Sequence, residues 1–172
     1  MTHLSRLGVE SGLAHCGAVH YCLTTSPDAF SVEQFIEATQ IYFDHDLRSD
    51  VDMNQPSVQE QIRTLLDMSF ADTDAETLRT LFGKGKGYVY DSLPFSYAFF
   101  LKNPFHIDAL YDVGNAGGDT DTNASMVGGL LGALNGPDIF PDHLVQGLYR
   151  KDYILNTAQR FCDALGVAQA LS

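Results

Sequence analysis

The apolar positions of this chain recur mostly every three or four residues, the period of a helix with one buried face. In SVEQFIEATQIYF, Val32, Phe35, Ile36 and Thr39 fall on one side, and Ser31 with Gln34 has the form of a capping box. In QPSVQEQIRTLLDMSF, Val58, Ile62, Leu65 and Leu66 face one way, with Pro56 and Ser57 at the entrance. A shorter helix is predicted over residues 74–82, with Asp74 as its cap, Leu78, Leu81 and Phe82 as its apolar face and Gly83 as its stop. The same spacing predicts helices over residues 92–101, 107–114, 122–134 and 152–165. Convincing alternating strand patterns are missing, so the pattern implies an all-α fold, an orthogonal multi-helix bundle, in a single domain spanning residues 1–172. No repeat or low-complexity linker divides it. The most polar stretch, DHDLRSDVDMNQP from Asp44 to Pro56, and the glycine-rich GKGKG from Gly83 to Gly87 read as loops.

Composition narrows the picture. With 172 residues, 45% of them apolar and 19% charged, the chain can bury a real core. Its 22 acidic and 10 basic residues give a formal net charge of -12, which would repel phosphate backbones and anionic lipid, so nucleic-acid and membrane roles lose weight. The three cysteines, Cys16, Cys22 and Cys162, are odd in number and lack C-x-x-C spacing, as expected for free thiols in the cytoplasm. No stretch approaches the roughly 20 apolar residues of a membrane-spanning helix, and the amino terminus lacks the pattern of an export signal.

Most candidate chemistry dissolves on inspection. Asp44, His45, Asp46, Asp50 and Asp52 could gather around a cation, but such charge runs usually face water. GKGKG is not a phosphate-binding P-loop, because nothing resembles GxxxxGK[ST]. His15 and His20 are five residues apart and do not share a helix face as the histidines of HExxH do; a GxSxG nucleophile elbow is absent too.

GGDTDTNASMVGG, from Gly117 to Gly129, is different. As a calcium loop it fails, since Ala124 and Leu130 stand where glycine and a bidentate glutamate are needed. As a helix start it is reasonable, with Gly117 and Gly118 turning the chain and Asp119, Thr120 or Thr122 capping. As half of a metal site it offers Asp119 and Asp121, two residues apart, and the Thr122 hydroxyl, all hard oxygen donors suited to Mg²⁺, Mn²⁺ or Ca²⁺. The helix behind carries Ala124, Gly128, Gly132 and Gly136 every four residues, with Val127, Leu130, Leu131 and Leu134 between them. A helix so lacking in polar residues is expected to be buried on all sides, drawing its aspartates into the interior where a cation would compensate them.

At these residues the sequence resembles the ADP-ribosylglycohydrolase family, which includes the enzyme that removes ADP-ribose from dinitrogen reductase and the ADP-ribosyl-acceptor hydrolases. GGDTDTNA followed by SMVGGLLGALNG is similar to that family's C-terminal metal signature. GYVYDSLPFSYAFF, from Gly87 to Phe100, and IFPDHL, from Ile139 to Leu144, resemble the segments on either side of it. SGLAHCGAVHYC looks like the family's serine, threonine-histidine helix, with His15 at the histidine and Ala14 in place of the threonine.

The resemblance implies an all-helical fold with a dinuclear Mg²⁺ centre, Mn²⁺ being an alternative, in which Asp119, Asp121 and Thr122 bind metal. It implies that Asp119 and Asp121 take part in catalysis, and that Gly117, Gly118 and, less directly, His15 contact the substrate. Water would attack the anomeric carbon of an ADP-ribose conjugate, protein-bound or small, through an oxocarbenium-like transition state. The family's other ligands, a threonine followed by two aspartates, have no match: the sequence contains no TDDT, no SDDT and no DD pair. The chain is therefore expected to correspond to about the C-terminal half of the family domain, an incomplete bundle. Alone, it should bind metal weakly and be inactive, should pair with a complementing N-terminal half if the enzyme is split, and should self-associate through uncovered apolar surface. The competing expectation is a non-enzymatic structural or binding relative, as some lens crystallins of the family are.

Overall fold

The computed structural model describes residues 6–40, 57–82 and 88–166, which fold into helices joined by turns, with no strand among them. The α-helices are α1 (Arg6–Thr24), α2 (Val32–Gln40), α3 (Val58–Arg63), α4 (Ala75–Leu81), α5 (Val89–Lys102), α6 (Asp108–Asn115), α7 (Thr120–Asn135), α8 (Asp142–Gln146) and α9 (Lys151–Ala164). The all-α expectation therefore holds. The chain forms two compact units, Met1–Gly136 and Pro137–Ser172. The acidic run from Asp44 to Asp52, the stop at Gly83 and the GKGKG segment lie outside the described residues.

The first unit is built on α5, which packs against α7, α6, α1 and α3. Every residue from Ser92 to Leu101 is buried, so α5 is covered on all sides. Its rings gather neighbouring elements into one aromatic cluster. Phe35 of α2 meets Tyr97 edge-on at 5.2 Å between centroids and Phe100 at 5.4 Å, and Phe30 lies edge-on to Phe100 at 5.9 Å. Each such side chain contributes about 1.5–3 kcal/mol on burial, and edge-on ring pairs add to that.

Several helix ends follow the sequence closely. Ser57 accepts the Glu60 amide at 3.2 Å while the Glu60 carboxylate accepts the Ser57 amide, a complete capping box. Asp74 caps α4 by accepting the Thr77 amide at 2.8 Å. The box expected at Ser31 and Gln34 is only half formed. The Gln34 amide donates to Ser31 Oγ, but the Ser31 amide donates to the Tyr21 hydroxyl at 2.9 Å, and the Gln34 side chain accepts from that same hydroxyl. A tertiary donor and acceptor from α1 has replaced the local one.

Two expectations are corrected, and one helix carries no hydrophobic period. Leu66 and Leu81 are exposed, because α3 tightens into a 3₁₀ turn over Thr64–Asp67 and α4 is covered mainly through Leu78 and Phe82. The helix spanning Arg6–Thr24 escapes hydrophobic periodicity because its inward ridge, Ala14, Ala18 and Cys22, is made of small side chains. Most important, α7 is buried along one face only. Asn123, Val127, Leu130, Leu131 and Leu134 point inward, whereas Asp121, Thr122, Ser125 and Gly129 are exposed or half-buried. Positions four and seven apart make one stripe; the small residues between them leave the opposite side thin without requiring it to be covered. The helix buried on all sides is α5, whose large rings alternate with too little polarity to form an outer face.

In the second unit, α8 follows Pro141 and α9 begins at Arg150, whose backbone is left-handed at φ 57°. The Arg150 guanidinium sits 4.3 Å above the Tyr153 ring, a favourable cation–π contact that accompanies the unusual backbone. None of the residues of α9 is buried.

Candidate metal centre

The connection from α6 to α7 sets the geometry. Gly117 and Gly118 both have φ of 80°, a left-handed conformation that glycine adopts freely and other residues resist. Two such residues in succession swing the chain around, so that Asp119 stands at the first cap position of α7 with its carbonyl accepting the Asn123 amide at 3.0 Å. This is what the paired glycines are for.

Asp119 does not use its side chain as a helix cap. Its carboxyl is instead the hydrogen-bond partner of the Asp121 carboxyl, and Asp121 Oδ1 also accepts the Thr122 amide at 2.9 Å. That bond to Asp119 is the chief influence holding Asp121 below its usual 3.8, followed by backbone amides. Two neighbouring carboxyls repel unless a proton lies between them. A cation taking its place is the arrangement that removes the repulsion, and the positive end of α7 assists.

The residues therefore fit a hard divalent cation in donor type: two carboxylates that interact with each other, with the Thr122 hydroxyl carried by the next residue. They do not form a full set. Among the described residues no group of three or more His, Cys, Asp or Glu side chains gathers around a common point. Asp121 and Thr122 lie at the surface and Asp119 is half-buried, contrary to the expectation of a buried carboxylate pair. The turn presents its oxygens outward because α7 buries its stripe beginning only at Asn123.

Asn123 anchors the helix. It is fully buried and accepts a hydrogen bond from the Ser96 hydroxyl of α5 at 3.2 Å. Further along, a methyl group added at Gly128 would lie 3.7 Å from Leu110, so α6 and α7 pack closely through the glycine seam. These contacts fix the start of α7 against α5 and α6 while leaving the carboxylates in the open.

His15 sits elsewhere in the contact network. Its ring stacks on Tyr97 with centroids 6.1 Å apart, and Nδ1 lies 3.3 Å from the Tyr97 hydroxyl. Burial pulls its pKa below 6.5 and pushes that of fully buried Tyr97 well above 10. One neighbour of the turn had no sequence signal at all. Arg79 of α4 reaches Asn115 and Gly117, across 36 residues in the first case.

The sequence profile of the ADP-ribosylglycohydrolase family matches residues 1–170 of the chain. No curated protein and no solved structure matches it.

Proposed function

Because the chain belongs to the ADP-ribosylglycohydrolase family, we propose that it contributes Asp119, Asp121 and Thr122 to a Mg²⁺-dependent site that hydrolyses the glycosidic bond of an ADP-ribose conjugate. The observation that carries the reading is that the Asp119 side chain, which does not cap α7, interacts with the Asp121 carboxyl two residues further on. Mn²⁺ would substitute, and a complete site would hold two ions. When bound, the ions would orient the ribose hydroxyls and withdraw charge from them.

The chain's own residues have three tasks. Gly117 and Gly118 allow the backbone to turn, placing the carboxylates at its outer edge and leaving room for a substrate to approach. Asp121, whose carboxylate accepts the Thr122 amide, is negative in the neutral range and would stabilise positive charge growing at the anomeric carbon. Either Asp119 or Asp121 would also accept the proton of the attacking water, provided it lies within hydrogen-bond reach of it.

Two carboxylates and one hydroxyl do not fill the octahedron of Mg²⁺. These three residues by themselves would therefore bind the ion weakly and need further ligands, such as the family's threonine and paired aspartates, for turnover. ADP-ribosylated protein or a small ADP-ribose conjugate is the substrate class. Calorimetric titration with Mg²⁺ tests the reading, with weak binding expected for the natural chain and none for Asp121→Asn. Tight binding by the chain alone would contradict the divided site, and undiminished binding by Asp121→Asn would remove the carboxylate pair from it. Mixing the chain with a separately produced N-terminal half should release ADP-ribose in a Mg²⁺-dependent manner; silence across a range of Mg²⁺ concentrations would count against complementation. Exposed apolar side chains such as Tyr149, Tyr153 and Phe161 support self-association, which sedimentation would reveal as concentration-dependent mass.

A further inference from the structure

A turn with two left-handed glycines in succession has no side chain of its own to hold it. Its conformation must be fixed from outside. The space beside Gly117 is occupied by Arg79: a methyl group built at Gly117 would meet Arg79 Nη2 at 3.8 Å and no other heavy atom of a described residue beyond its chain neighbours within 4 Å. The same Nη2 donates a long hydrogen bond, 3.5 Å, to the carbonyl of Asn115, the last residue of α6. Nη1 donates to Glu76 Oε2 at 3.0 Å, tying the guanidinium back to its own helix. Nε is buried with no hydrogen-bond partner among the described residues. The group is therefore not placed to satisfy all of its own donors.

An exposed Arg–Glu pair three residues apart on a helix is ordinarily a minor surface feature. Here the guanidinium is two-thirds covered, at 31% side-chain exposure, and reaches across to the one segment that carries the carboxylate pair. The Asn115 carbonyl is one of those left without an intrahelical partner at the end of α6, and a positive charge there also complements the helix dipole. Arg79 thus touches the end of α6 and the first glycine of the turn, two residues before Asp119.

We infer that Arg79 is a positioning residue for the Asp119–Asp121 pair, bracing the Gly117–Gly118 turn that precedes the carboxylates and so setting the direction in which they point. Its chemical consequence rests on the metal-site reading above; its effect on the turn does not. Residues that orient metal ligands typically change affinity by about 10–100-fold when removed.

The test uses the full chain and two variants, Arg79→Met, which keeps the apolar stem, and Arg79→Lys, which keeps the charge without the fork. Backbone ¹⁵N order parameters at Gly117 and Gly118 should fall from the rigid range near 0.85 towards about 0.6 in Arg79→Met, with those of α5 unchanged. Mn²⁺ affinity, read by electron paramagnetic resonance, should fall about tenfold, with Arg79→Lys intermediate in both readouts. Unchanged order parameters at the two glycines would overturn the inference, as would a loss spread evenly through α5 and α7, the mark of general destabilisation. Asp121→Asn separates the two claims. If it binds Mn²⁺ as the natural chain does, the metal-site reading fails while the order parameters still decide the role of Arg79. If Arg79→Met does not fold, Arg79→Lys carries the same readouts, and unchanged order parameters in it overturn the inference in the same way.

Discussion

At the scale of single residues, Asp119 and Asp121 show how little a motif says about the use of its side chains. Their spacing is visible in the sequence, and so is their place before a helix. Either one could have been a cap, as Asp74 is for α4. In the structure Asp119 follows two left-handed glycines and makes no side-chain cap to α7, interacting with Asp121 instead. This makes the glycine pair a sensitive point. Among the described residues Gly117→Ala would meet only an ordinary contact with Arg79, so its effect comes from the backbone: a side chain at φ 80° costs about 1–2 kcal/mol. Urea denaturation should show that loss as a lower midpoint with an unchanged slope, whereas an unaltered midpoint would mean that the turn is free to take another conformation. Arg79 was not legible in the sequence because its relation to the turn is a product of packing between α4 and the end of α6.

At the scale of elements, the helical period located α2, α5, α6, α7 and α9 to within a few residues, since each carries large apolar side chains at regular spacing. The period failed for α1 because Ala14, Ala18 and Cys22 contribute little to a hydrophobic pattern even though they are buried. It misjudged α7 for the converse reason: glycines on its outer face look like burial in a sequence, but they only make the helix thin. The orientation of α1 can be checked chemically. Cys16 is exposed and Cys22 is buried at 1% exposure, with burial pushing the Cys22 thiol up to about 12. Iodoacetamide at neutral pH should therefore modify Cys16 in the folded protein and Cys22 only after denaturation, since the thiolate is the reacting form. Equal labelling of both in the native state would place α1 in a different register.

At the scale of the whole molecule, the surplus of acidic groups and the inward-facing His15 bear on stability in separate pH ranges. His15 is held in its uncharged form by burial against Tyr97, so its pKa in the folded protein lies below the 6.5 expected when unfolded. Between those two values the unfolded chain binds more protons than the folded one, and stability falls as the pH drops. The decline should begin as pH passes down through about 6.5 and level off below the folded value. His15→Gln should flatten it, and denaturation midpoints measured at about pH 7.5 and 5.5, on either side of that value, would show the difference; an identical slope in both proteins would assign the decline to other groups. Asp121 acts in a lower range. Its depressed pKa favours the folded state above 3.8, an advantage lost as pH falls through the folded value. Among the described residues no helix is long and apolar enough to cross a membrane.

The sequence by itself determined the all-α class, the family and the place of Asp119, Asp121 and Thr122 at the start of a helix, because helical period and a short motif are properties of neighbouring residues. Tertiary structure decided which helix forms the centre, that Tyr21 completes the cap of α2, that the carboxylates face outward, and that Arg79 stands beside their turn. Each of these depends on which surfaces meet across long separations in the chain. Local spacing sets the period of a helix, but burial and hydrogen-bond partners are assigned only when the helices pack.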